Sequence, residues 1–214
     1  MTLLVVSIKK DKTSLLKDFR FGAKVEGCKI VTDELDKCFD LKLSTDLDAT
    51  FLTAGSLQVW SKIKDNLIRN KANINNIQSL HQEMSRYVIQ DEIKNLARTE
   101  GEDGRSYLEK SGGFLILKVM NREFQVYKVI IDPALGASVD RLSSGTYFLG
   151  SGSKAFNNQE QNIHNKVWNY DYLLQESLLV LQNEIISTLK PLPITGHEEN
   201  MFDTLGVSEV FSLG

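Results

Sequence analysis

The chain begins with an almost unbroken apolar run, "TLLVVSI" at residues 2–8. A run of this length, rich in leucine and valine, predicts a strand buried on both faces. "KKDK" (9–12) supplies a charged turn, and "TSLLKDF" (13–19) a returning strand. In "DKCFDLKL" (36–43), Phe39, Leu41 and Leu43 alternate with Cys38, Asp40 and Lys42. That is the two-residue period of a half-buried strand. "DATFLTAG" (48–55) predicts a further strand that ends on a glycine.

The period then lengthens. Leu57, Trp60, Ile63 and Leu67 fall on one face of a helix, with Ser56 placed to cap it. A second helix is expected through Ile74, Ile77, Leu80, Met84, Val88, Ile93 and Leu96. "TEGEDGRSYLEKSGG" (99–113) has glycines and charges but no period, and reads as a loop. A hairpin follows, with strands at 114–120 and 123–131 around a two-residue turn at Asn121–Arg122. "TYFLG" (146–150) predicts a short strand, and "SGS" (151–153) the entry to a helix. The polar stretch 157–169 reads as a surface insertion. Leu174, Leu178, Leu181, Ile185 and Leu189 mark a last helix, "KPLPITG" (190–196) breaks it, and "GVSEVFSL" (206–213) alternates as a closing strand.

Strands in runs and helices in runs indicate an α+β architecture rather than a parallel βαβ fold. Two antiparallel sheets between pairs of helices accommodate every element, within a single domain spanning 1–214.

Composition narrows the function classes. The 214 residues are 42% hydrophobic and 25% charged, as in an ordinary globular chain. A net charge of −3 gives no general drive toward nucleic acid. No apolar run approaches the ~20 residues of a membrane span. Leu3–Ile8 is too short for the apolar core of a signal peptide, so a cytoplasmic location is expected. Cys28 and Cys38 are expected as free buried thiols. His81, His164 and His197 lie far apart with no metal-binding spacing, and no glycine-rich phosphate loop occurs. No metal and no cofactor are expected.

Four small features sit where chemistry could occur. Thr2 opens the first strand; with Met1 removed it would carry both a hydroxyl nucleophile and an α-amine. An α-amine titrates at about 7.7–8.0 and can serve as a base near neutral pH. Taken alone, a threonine at position 2 is unremarked. A lysine such as Lys37 beside that amine would lower its pKa by like charge, and Asp18 could hold the lysine. The same pair reads equally as a surface ion pair. In "TAGS" (53–56), Gly55 could present its N–H to an oxyanion or simply make a tight turn. In "GSGS" (150–153), a serine could bond an α-amine or cap a helix.

In this order and at these separations, the features resemble the proteasome β-subunit family of N-terminal-nucleophile hydrolases, which includes the bacterial ATP-dependent ring peptidase. The matching pieces are Thr2, the "D-x-R" of Asp18-Phe19-Arg20, Lys37 in "DKCFDL", Gly55 in "LTAGSLQVW" and Ser151 in "LGSGSKAF", over roughly residues 2–156. The resemblance implies a four-layer αββα sandwich. It implies Thr2 Oγ as nucleophile, the Thr2 amine as base, Lys37 tuning that amine and Asp18 orienting Lys37. Ser151 would bond the amine, and the Gly55 N–H would form the oxyanion hole. The implied reaction is peptide amide hydrolysis through an acyl-enzyme ester, inside a homo-oligomeric ring fed with peptide or unfolded protein, with an ATP-dependent unfoldase as a possible partner. Phe19 and Phe21 stand where the family has small residues and would narrow the substrate groove. Two other readings keep the fold: a catalytically silent ring or scaffold subunit, and an amidohydrolase of small amides.

Overall fold

The computed structural model describes residues 3–9, 12–18, 21–25, 28–32, 37–44, 47–88, 111–119, 124–132, 136–169, 174–189 and 211–213. Contacts divide the chain into two compact units, Met1–Lys37 with Ser143–Gly214, and Cys38–Leu142.

The opening apolar run becomes β1 (Leu4–Lys9), and it turns back into β2 (Lys12–Asp18) with Lys9 opposite Lys12. The first unit carries a four-stranded sheet in the order β10-β1-β2-β11, where β10 is Gly145–Leu149 and β11 is Phe211–Leu213. Every pairing in it is antiparallel. Leu3 to Val6 are fully buried and Ile8 nearly so, as the unbroken apolar run requires. One face of β1, through Leu3 and Val5, packs on α3 (Glu160–Trp168) and α4 (Leu174–Leu189). The two helices contribute Ile163, Val167, Leu181 and Ile185 to that core. An exposed ion pair, Lys166 Nζ to Glu184 Oε2 at 2.8 Å, joins them. Such a pair contributes about 0–1 kcal/mol, against roughly 1.5–3 kcal/mol for each large apolar side chain buried, so the apolar contacts set the packing. A separate two-stranded ribbon, β3 (Phe21–Val25) with β4 (Cys28–Thr32), completes the described strands of this unit.

A buried polar line runs through the same unit. Trp168 Nε1 donates to Ser7 Oγ at 2.7 Å, Ser7 Oγ bonds Thr146 Oγ1 at 2.7 Å, and Thr146 Oγ1 bonds His164 Nδ1 at 3.3 Å. Lys9 Nζ donates to the Trp168 carbonyl at 2.9 Å.

The second unit holds a five-stranded antiparallel sheet in the order β5-β6-β7-β8-β9. Its strands are Cys38–Lys42, Leu47–Ala54, Gly112–Val119, Gln125–Asp132 and Gly136–Arg141. Helices α1 (Leu57–Arg69) and α2 (Ile77–Val88) cover one face. Phe51, Leu115, Val129 and Ile131 meet Trp60, Ile63, Leu67, Leu80 and Met84 there. Phe39 and Phe51 stack with ring centroids 4.8 Å apart, and both tilt onto Trp60. The edge strand β9 is fastened by α2: Ser85 Oγ and His81 Nε2 bond the Ala137 carbonyl at 2.9 and 2.7 Å.

Several expectations need correction. The 157–169 stretch is no surface insertion: it contains α3, anchored by Ile163, Val167 and Trp168. Three apolar residues suffice because they share one helix face. Strand β7 begins at Gly112, inside the segment read as loop. Cys38 is in no disulfide among the described residues, and it is only half-buried. Strands β3, β4 and β9 had no sequence expectation of their own. The loop residues 99–110, the turn residues Asn121 and Arg122, Ile93, Leu96, the 190–196 break and residues 206–210 lie outside the described residues. Among the described residues, no helix is long and apolar enough to cross a membrane.

Candidate functional site

Strand register brings two of the sequence-selected positions, Asp18 and Ser151, to one end of the four-stranded sheet. Leu4 pairs with Lys17 on one side and with Leu149 on the other. The start of β1, the end of β2 and the end of β10 therefore lie in one row. Asp18 is the last residue of β2, and Ser151 follows β10 by two positions. Thr2 lies outside the described residues, immediately before the fully buried Leu3.

Ser151 opens a 3-10 turn, Ser151–Phe156. The cap position belongs to Gly150 (φ 99°), so Ser151 is not the capping residue. The turn is fixed from both ends. Ser153 donates from its N–H and its hydroxyl to the Gly150 carbonyl, at 3.1 and 2.7 Å. Phe156 is fully buried and stacks on Phe148 at 4.5 Å, nearly parallel.

Lys37 directly precedes β5, and Gly55 directly follows β6. Those strands are antiparallel neighbours, so the two chain ends leave the sheet at the same edge. Lys37 is only 3% exposed, which removes the surface ion pair reading. An ammonium is buried only where other groups compensate it.

Gly55 is the most constrained position. Its φ of +94° lies in the region glycine tolerates and other residues resist. A Cβ there would also meet Ser111, at 2.5 Å from both Cα and Oγ. Both peptides flanking Gly55 are held by side chains. Trp60 Nε1 donates to the Ala54 carbonyl at 2.9 Å, and the Ser56 N–H donates to Ser111 Oγ at 2.9 Å. Ser111 is itself 1% exposed, and its carbonyl accepts from the Ile131 N–H. Ser56 caps α1 as expected, accepting from the Val59 N–H at a long 3.4 Å.

Sequence reasoning treated Trp60 only as a core residue and Ser111 as part of a loop. No local pattern marks either one, because the partner of Ser111 lies 55 residues away. Among the described residues, no group of three or more His, Cys, Asp or Glu could hold a metal ion.

The comparisons with known proteins rest on structure. No family model and no curated protein matches the sequence. Solved structures do. Anbu (ancestral beta-subunit) from Yersinia bercovieri superposes with a TM-score of 0.61 at 14% identity, covering 99% of this chain and 80% of that one. An Anbu (Gly-1) mutant from Hyphomicrobium sp. strain MC1 gives 0.60 at 12% identity, over 99% and 79%. The helical assembly of the Anbu complex from Pseudomonas aeruginosa gives 0.58 at 12% identity, over 99% and 79%. Identities this low speak for the fold. The chain has the α+β fold of the N-terminal-nucleophile hydrolase and proteasome β-subunit superfamily, with two antiparallel sheets flanked by helices.

Proposed function

We propose that the protein is a proteasome-like threonine peptidase whose nucleophile, Thr2, is exposed by removal of Met1. The observation that carries this reading is the common row formed by the start of β1, the end of β2 and the end of β10. Continued beyond Leu4, the same register would set Thr2 beside the chain at Asp18 and Ser151. In the proposed reaction, Thr2 Oγ attacks the scissile carbonyl and its proton passes to the Thr2 amine. Lys37 keeps that amine unprotonated by like charge, and Asp18 orients Lys37. Ser151 bonds the amine, and the Gly55 N–H receives the developing oxyanion. The amine returns the proton to the leaving nitrogen. Water then hydrolyses the acyl-enzyme ester.

Two further observations support the reading. The buried Lys37 is a costly placement for a residue with no role at the site. The positive φ of Gly55 turns the backbone sharply between a strand end and a helix start, where an N–H can face a ligand.

The proposed assembly is a homo-oligomer in the cytoplasm. The P. aeruginosa relative is described as a helical assembly. Head-to-tail contacts generate rings when the rotation closes and helices when it does not. Substrates would be peptides or unfolded chains, delivered with or without an ATP-dependent unfoldase.

The test is hydrolysis of fluorogenic peptides by the full chain and by Thr2→Ala and Lys37→Ala. The reading expects turnover by the parent and its loss in both variants, with the oligomer intact by light scattering. Turnover unaffected by Thr2→Ala contradicts it. A properly assembled parent that cleaves small amides and no peptide instead selects the small-amide hydrolase.

A further inference from the structure

We propose that Trp60 and Ser111 are positioning residues that aim and strengthen the Gly55 N–H as an oxyanion donor. The inference rests on the peptidase reading above and deepens it.

The Gly55 N–H and the Ala54 C=O belong to the same amide and point in opposite directions across it. Trp60 Nε1 donates to that carbonyl at 2.9 Å in a buried setting. The carbonyl is thereby turned toward the indole nitrogen, and the Gly55 N–H is turned directly away from it. Trp60 is 2% exposed and wedged against Phe39 and Phe51, so the donor itself has little freedom.

The next peptide is held independently. Ser111 Oγ accepts from the Ser56 N–H at 2.9 Å and lies against Gly55. The Ser56 N–H is therefore committed to Ser111, which leaves Gly55 as the donor of this turn for an incoming oxyanion. With one plane fixed on each side, rotation about Gly55 is blocked, although glycine is the residue least able to resist it. Preorganisation of this kind is what an oxyanion donor needs, because a donor that must reorient when charge develops stabilises it less.

The Trp60 bond does a second thing. Donation to an amide carbonyl polarises the whole amide, so its N–H becomes a better donor, and a low-dielectric setting enlarges the effect. Trp60 is in this sense an electronic as well as a steric support, acting through Ala54 without touching substrate.

The experiment uses Trp60→Phe, which keeps an aromatic ring in the cluster and removes the N–H donor along with part of the indole's volume, and Ser111→Ala as an independent second variant. For each, kcat and KM for a fluorogenic peptide are measured beside the inhibition constant of a peptide boronate, whose tetrahedral adduct places an oxygen in the oxyanion hole. The expected result is a fall in kcat of about 10- to 100-fold with KM nearly unchanged, and a boronate constant that rises by the same factor. A purely structural role predicts a lower melting temperature with neither change in the folded fraction. If the parent turns over peptide and binds the boronate while both variants match it, this inference fails and the peptidase reading stands. If the parent does neither, the peptidase reading fails and this inference falls with it.

Discussion

Trp168 Nε1 and Ser7 Oγ, 161 residues apart in sequence, are joined at 2.7 Å in the interior of the first unit. Ser7 lies in the middle of β1 and is fully buried, so its hydroxyl must be satisfied from within the protein. It accepts from the indole and shares a second short bond with Thr146. Ser7→Ala removes the hydroxyl and leaves the Trp168 N–H without this acceptor. The expected loss is about 1–3 kcal/mol, measured by urea denaturation. A change within about 0.5 kcal/mol contradicts a stabilising role for the network.

The far end of that network titrates. With the ring neutral and its proton on Nε2, protons run from Trp168 to Ser7 to Thr146, and His164 Nδ1 accepts the last one. The His164 pKa is pushed below its ordinary 6.5 by burial first and by the nearby Lys9 charge second. As the pH falls, the unfolded chain therefore takes up this proton before the folded one does. The corresponding stabilisation is complete above about pH 6.5 and is lost as the pH falls through the lowered folded value. In His164→Gln, the dependence of melting temperature on pH below about 6.5 should flatten. An unchanged profile in the variant assigns the acid sensitivity to other groups.

Gly55→Ala is expected to be destructive for two separate reasons. The left-handed backbone costs an alanine about 1–2 kcal/mol, and the added methyl meets Ser111. Overpacking adds roughly 1–3 kcal/mol. The sum falls on the start of α1, so a drop in melting temperature should accompany the loss of turnover. A variant of parental stability contradicts the described geometry at Gly55.

The sequence was most legible where one strand or helix decides its own burial. β1 read as a strand because its apolar run fills both faces, β6 because it is apolar from Phe51 onward, and α1 because Trp60, Ile63 and Leu67 repeat at helical spacing. It was least legible where stability comes from elsewhere. β9 carries Gly136, Ala137 and Ser138, which do not favour strands, and it is held by α2 through Ser85 and His81. α3 hides three anchoring residues in a polar stretch. The site follows the same rule. As candidates, Gly55 stood out as a glycine at a strand-to-helix junction, and Lys37 through its place before a strand in the family resemblance. Ser111 and the second role of Trp60 depend on contacts that only the folded chain creates.

The turnover experiments presume that one peptide bond, Met1–Thr2, is cut. The most direct test of the account is the intact mass of the purified full-length protein after incubation with a peptide epoxyketone, followed by mapping of the N-terminal peptide. The account predicts a chain lighter by one methionine, carrying one inhibitor adduct on Thr2. A uniformly Met1-bearing chain without adduct would contradict it.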